Sequence, residues 1–560
     1  MFLTHGKHSF KAGFAFERLQ YNVISQLNRN GRFGRYSSVE NFIKDATTTV
    51  ALLDPSIRKE NGSRDSLFGG YFQDDWRIAS NLTLNLGLRY EMLTLPTEAH
   101  NGFGVINQLF APAVPGGCTA FIAPDNTLGC TIPVNTMWRT NPTTHNFAPR
   151  VGFSWDPFKN GKTAVRGGFG IFDILPLPYV YSIGNSLSVP FSKQLSGKGT
   201  YHPNFDPTTL GNSALSRYIE QTPHRSYAMN YNFNIQREFT SKISGMVGYV
   251  GSHSLHEAFT ADDSNQVGPP NVRMINGVWT WPLPVGSGPL VDGNVGDIRA
   301  IFFDGSAKYN SFQSQIQVKG LRGFMGQAAF TLGKCFDDGS GAQLSDPFLT
   351  SVPSLIFFDK KERHGHCDFD VHKNLSINTL YDFGIPRTDS GLMKRVAGGW
   401  QLGMIMTAST GTPFTVVTSS DDLGQNSTDP WSFPNRLSGC NPYNGNFRAA
   451  GMVYLNNNCF SPLTVTANGP IVGTNGRNTL LGPGLVNFDF TVLKDTVITE
   501  RLRLQFRAEF FNIFNHANFQ APNIDAGTST IGFAPNLIPV TLTQTATEGR
   551  DIQFGLKLIF

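Results

Sequence analysis

The sequence is short of charge. Asp, Glu, Lys and Arg make up 15% of its 560 residues, against roughly 25% in an ordinary soluble protein. It also lacks a long apolar run. None reaches the ~18 residues that a membrane helix needs, which excludes helical membrane proteins and says nothing about strands. The formal net charge of +4 is too small to argue for a nucleic-acid partner, and no basic stripe is interleaved with aromatics. No Ser/Pro-rich linker or long charge run divides the chain, although its length would ordinarily suggest several domains. The opening MFLTHGKHSF has neither an apolar core nor a small-residue cleavage site, so it is not a signal peptide. The chain is therefore expected either to be cytoplasmic or to begin inside a longer one. No G-x-S-x-G elbow, P-loop or H-E-x-x-H is found.

Phe and Gly are abundant instead, at 46 and 58 residues. The aromatics are spaced. In NLTLNLGLRY, Leu82, Leu84, Leu86, Leu88 and Tyr90 alternate with Thr83, Asn85, Gly87 and Arg89. A period of two means a strand with one apolar and one polar face. The same alternation carries Phe10 to Phe16, Phe147 to Trp155, Tyr227 to Ile235, Phe324 to Leu332, Leu375 to Phe383, Trp400 to Met406, Leu502 to Phe510 and Ile552 to Phe560. Weaker candidates lie near 67–77, 163–172, 241–251, 309–318 and 485–494. The total is about fourteen strands, each near the 9–11 residues that cross a bilayer when tilted.

The connections alternate. Short ones follow residue 76 and lie at 156–162, 238–242, 319–323, 385–397 and 496–500. Long ones span about 19–66, 93–145, 173–226, 253–308, 337–371, 411–483 and 515–549. Short periplasmic turns and long extracellular loops are the asymmetry of outer-membrane barrels. A sandwich or propeller would show shorter, more even connections. The fold class expected is all-β, an antiparallel transmembrane β-barrel.

YFQDDWRIASNLTLNLGLRYE resembles a strand–turn–strand signature of TonB-dependent outer-membrane receptors. FAPRVGFSWDPFKNGKTAVRGGFGIF, YNFNIQREF, GYVGSHSLH, CDFDVHKN, GWQLGMIMTASTGTPFTV, GRNTLLGPG and LQFRAEFFNIFNHANFQAP resemble the Oar-like branch of that family. The resemblance covers nearly the whole chain and lies in the barrel. It implies a 22-stranded barrel preceded by a plug, a TonB box and a regulatory-like domain, none of which is found in the sequence. Residues 1–560 then read as the C-terminal portion of such a receptor. The implied function is ligand binding by the extracellular loops and energised passage through a plugged lumen, with the outer membrane as location and its lipid as surroundings. TonB would act only through the missing N-terminal part. No cofactor is implied, and the extracellular ligand is not legible. The alternatives are a structural or adhesive surface barrel and a barrel-embedded hydrolase.

Several side chains invite chemistry. HGHCDFDVH brings His364, His366, Asp368, Asp370 and His372 together. On an extended chain all five would point one way and could hold a metal; polar residues facing the lumen are the competing reading. His364, His366 and Asp368 are the candidate ligands singled out. CFDDGSG has the look of a calcium loop with the wrong carboxylate spacing. Asp74 and Asp75 are adjacent on a strand and should face opposite ways. Arg89, Glu91, Arg503, Arg507 and Glu509 fall on polar faces, suited to a charged lumen. Trp76 and Trp155 close strands before short turns, as an interfacial aromatic girdle would. The six cysteines all fall in or beside long loops, and three local disulfides are expected: Cys118–Cys130, Cys335–Cys367 and Cys440–Cys459. Phe554, Leu556, Leu558 and the terminal Phe560 share one face. They resemble the signal read by the outer-membrane barrel-assembly machinery. The terminal strand is expected to close the barrel by pairing with the first.

Overall fold

The computed structural model describes residues 1–24, 32–44, 47–53, 60–100, 102–113, 130–178, 180, 191, 194–199, 211–212, 216–261, 263–269, 271–296, 298–340, 356–384, 391–418, 420–427, 431–499, 501–523 and 527–560. Fourteen long strands dominate it. They are β1 (His8–Ile24), β2 (Glu60–Ala79), β3 (Leu82–Leu93), β4 (Phe147–Trp155), β5 (Thr163–Asp173), β6 (Tyr227–Thr240), β7 (Ile243–Ala261), β8 (Ile298–Leu321), β9 (Phe324–Asp337), β10 (Lys373–Asp382), β11 (Trp400–Ser409), β12 (Leu485–Val497), β13 (Arg503–Phe511) and β14 (Asp551–Ile559). Each is antiparallel to the next in a continuous meander.

The register keeps the apolar faces together. Leu88 of β3 sits opposite Phe72 of β2 and Pro149 of β4. Leu504, Phe506, Ala508 and Phe510 of β13 face Leu558, Leu556, Phe554 and Ile552 of β14. This face stays uncovered: Phe14 is 75% exposed, and Phe554 71%. A soluble protein would bury such a surface against a second layer.

The buried core lies elsewhere, in the long connections at one rim. One cluster joins Phe103, Met137, Trp138 and Phe191 to the start of β8 through Ile301 and Phe303. A second packs Ile106 and Leu109 on Phe259, Ile298 and Phe357. A third gathers Val267, Trp281, Val417, Leu423 and Phe433. The fourth holds Phe414, Tyr454, Leu455, Phe460, Ile531 and Val540. Successive loops therefore pack on one another into a folded cap.

The structure departs from the expected elements in three places. The connections expected at 19–66 and 253–308 are shorter, because β1, β2, β7 and β8 run on into the cap. There Asn61, Ser63 and Asp65 of β2 are buried against the loops, so the apolar alternation that marks a strand is lost. Second, Phe2–His5 forms a hairpin on β1, pairing Phe2 with Lys11 and His5 with His8. Third, β14 pairs with β13 alone, and among the described residues no ladder joins it to β1. The outer edge of β1 at His8–Lys11 is occupied by the Phe2–His5 hairpin.

Candidate functional site

The polar face of the sheet is organised. Asp75 accepts from Lys11 Nζ at 2.9 Å, Gln73 Nε2 at 2.9 Å and Asn85 Nδ2 at 2.6 Å. Arg89 donates to Glu91 on the same face at 2.5 Å, and Arg507 lies 3.6 Å from Glu509. A groove of about 480 Å³ runs between Lys11, Tyr71, Gln73, Asn85, Arg89 and Arg150. Asp74 faces the other way, with His8 Nδ1 2.6 Å from its Oδ2 and Phe10 opposite it in the register. The two adjacent carboxylates do not meet, as alternation requires.

At the cap rim, the loop after β9 meets the loop before β12. Arg477 is buried and donates from Nε to the carbonyl of Arg363 at 2.8 Å and from Nη2 to the carbonyl of Asp337 at 2.8 Å. It also pairs with the Asp337 carboxylate, and its Nη1 is 3.5 Å from Asp368 Oδ1. Asn478 Nδ2 donates to Asp368 Oδ1 at 2.6 Å and to the carbonyl of His366 at 2.7 Å. Arg363 reaches Asp304 at 3.0 Å and lies 4.0 Å above the Phe259 ring. Burial pushes the Arg363 guanidinium below its ordinary value, against the pull of Asp304 and Asp338. Lys360 and His364 take the Asp338 carboxylate, at 3.3 and 2.9 Å. The carboxylates of CFDDGSG are thus spent on cations of the protein.

The five metal candidates do not share a face. The chain is extended only at Gly365–His366 and then turns, with the Asp370 N–H donating to the carbonyl of Cys367 at 3.0 Å. The turn breaks the period of two. His364 goes to Asp338 and Asp368 to Arg477 and Asn478. His366, Asp370 and His372 converge: His366 Nδ1 and His372 Nε2 lie 2.8 and 2.9 Å from Asp370 Oδ2, and 3.4 Å from each other. His372 was legible as a polar residue before a strand, but only the turn brings it to His366.

A sheet with an uncovered apolar face, a charged opposite face and folded loops at one rim has few counterparts outside membranes. A family model described as outer membrane beta barrel domain matches residues 1–553. The chain belongs to this family. Its apolar face therefore meets lipid and its polar face the lumen, and its location is the outer membrane.

The outer membrane β-barrel domain is also similar to several solved structures. The outer membrane transporter YddB from Escherichia coli shares 11% identity at a TM-score of 0.48, over 100% of this chain and 52% of that one. The FrpB iron transporter from Neisseria meningitidis (F3-3 variant) shares 12% at 0.42, over 99% and 53%. The ferripyoverdine receptor of the outer membrane of Pseudomonas aeruginosa shares 13% at 0.44, over 99% and 46%. The chain spans about half the length of these proteins. A comparison with curated proteins finds no match.

The remaining residues of interest in the barrel domain are placed as follows. Trp76 stacks on His8 at 5.3 Å, and Trp155 ends β4 opposite Leu82, both at the short-turn rim. Trp400 begins β11 at that rim and donates from Nε1 to the carbonyl of Val396 at 2.9 Å. Arg503, Arg507 and Glu509 lie on the lumen face of β13, opposite Ile559, Gly555 and Gln553. Disulfides join Cys335 to Cys367 and Cys440 to Cys459, each with Cα atoms 5.4 Å apart. Cys118, the expected partner of Cys130, lies outside the described residues. Phe554, Leu556 and Leu558 face lipid on β14, and Phe560 follows it, 91% exposed.

Proposed function

We propose that this chain is the barrel of a TonB-dependent receptor of the Oar-like type, whose cap binds an extracellular ligand for energised passage through the lumen. The observation that carries the reading is the position of the core. The four apolar clusters lie in the long loops and the ends of β7 and β8 that enter them, so the mouth is a packed, preorganised surface, which binding favours. Below it the lumen face carries Lys11, Asp75, Arg89, Glu91, Arg507 and Glu509, a charged wall against which a plug could seat. The strand signatures add the resemblance to the receptor family. On this reading the plug and TonB box belong to the full-length receptor, the chain performs no catalysis, and the assembly machinery reads β14 and Phe560.

The test uses the full gene that encodes this barrel, in matched strains with and without TonB. Accumulation of labelled ferric siderophores, oligosaccharides and peptides would be compared. TonB-dependent accumulation of one probe class is expected. Equal accumulation in both strains for every class, with the barrel present in the outer membrane, would leave the surface-display alternative.

A further inference from the structure

We propose that His366, Asp370 and His372 form a binding site for a divalent transition metal of the zinc class, with one coordination position open at the mouth. Two imidazoles and one carboxylate are the donor set that zinc takes in sites that keep a water or a ligand as fourth partner. The geometry is close to what such an ion requires. Bonds of about 2.0–2.2 Å in a tetrahedron separate neighbouring donor atoms by roughly 3.3–3.5 Å. Here the three donors lie 2.8, 2.9 and 3.4 Å apart, so each would move by about half an ångström or less.

The supporting shell is already built. The second oxygen of Asp370 accepts from the Cys335 N–H at 3.0 Å, which aims Oδ2 at the two rings. The disulfide between Cys335 and Cys367 fixes the base of the turn. Asn478 holds the backbone carbonyl of His366, and the Phe336 ring packs on the His366 ring at a centroid distance of 4.2 Å. Such outer partners set ligand orientation in metal sites. The Asp370 side chain is 1% exposed, whereas those of His366 and His372 are 21% and 18% exposed, so the anion is buried and the approach to the rings is open. As the metal enters, a neutral ring protonated on the metallated nitrogen shifts that proton to its other nitrogen, and an imidazolium releases one proton to solvent.

The experiment is a Co²⁺ titration of the purified chain in detergent, without a polyhistidine tag. One Co²⁺ per chain is expected, with the visible absorption of a four-coordinate ion, displaced by Zn²⁺. His366→Gln and His372→Gln should each abolish the band. His364→Gln, whose ring serves Asp338, should retain it. Heat-modifiable gel mobility reports whether each variant is folded. Absence of Co²⁺ binding to the unmodified chain overturns the proposal without recourse to any variant. A band that survives in folded His366→Gln and His372→Gln overturns it as well.

Discussion

Arg477 Nη2 donates to the main-chain carbonyl of Asp337 at 2.8 Å, across 140 residues of sequence. The bond ties the loop before β12 to the end of β9, and Asp368 and Asn478 extend it to the corner that holds His366. Removing one partner from a buried charge network costs about 3–5 kcal/mol, because the other charges stay buried without compensation. Arg477→Met is expected to loosen this rim and leave the strands assembled. Limited proteolysis of whole cells should cut the 338–372 and 410–484 loops faster, while heat-modifiable mobility of the barrel is retained. Unchanged loop cleavage would refute the role.

Trp281 is fully buried among Val267, Val417 and Leu423, and its Nε1 donates to the carbonyl of Val267 at 3.0 Å. Trp281→Ala should destabilise this cluster by about 3–5 kcal/mol through the cavity it leaves. Hydrogen exchange of the cap would read this as lost protection at 263–296 and 414–433, with β6 to β9 unaffected below the rim.

Asp292 is wholly buried in the cap. Burial pushes its carboxyl up to about 6, although the Asn294 N–H and side chain donate to it. A raised carboxyl holds its proton more tightly in the folded state, so its contribution to stability is greatest below about pH 4 and falls as pH rises toward 6. Asp292→Asn removes that charge. Its melting-temperature advantage over the parent chain should grow from pH 4 to pH 6 and level off above. An advantage independent of pH would show that this carboxyl does not titrate as described.

Tyr231 lies across Gly251, its partner on β7, and donates to Asn310 Oδ1 at 2.8 Å. A Cβ at Gly251 would run into the ring. Gly251→Val should displace Tyr231, break that bond and cost about 1–3 kcal/mol of sheet stability. Gly251→Val with Tyr231→Ala should recover part of the loss, and no recovery would disprove the clash.

Phe560 is 91% exposed beyond β14 and continues its lipid-facing row. Phe560→Asp is expected to lower the amount of heat-modifiable barrel in the outer membrane more than it lowers the melting temperature of the inserted fraction. Equal outer-membrane levels would count against an assembly role.

The strands and their faces were legible because alternation is local. Leu82 to Tyr90 declare a two-faced strand without reference to any partner, and a short turn at 80–81 then dictates which strand lies beside it. Lipid strengthens the signal, since the apolar residues must stay on the outside along the whole crossing. Where strands leave that environment the signal fades, which is why the upper ends of β1, β2, β7 and β8 could not be read. The packing of the cap could not be read, although two of its disulfides could. Trp281 with Val417, and Arg477 with Asp337, meet from distant loops whose packing follows no period. In the same way the sequence placed five candidate ligands on one short stretch, and a single turn at Cys367–Asp370 decided which three came together. Periodicity is a property of neighbouring residues and survives in the sequence. Convergence depends on how the chain turns back, within six residues for His366 and His372 or across 140 for Arg477 and Asp337, and only the folded chain supplies it.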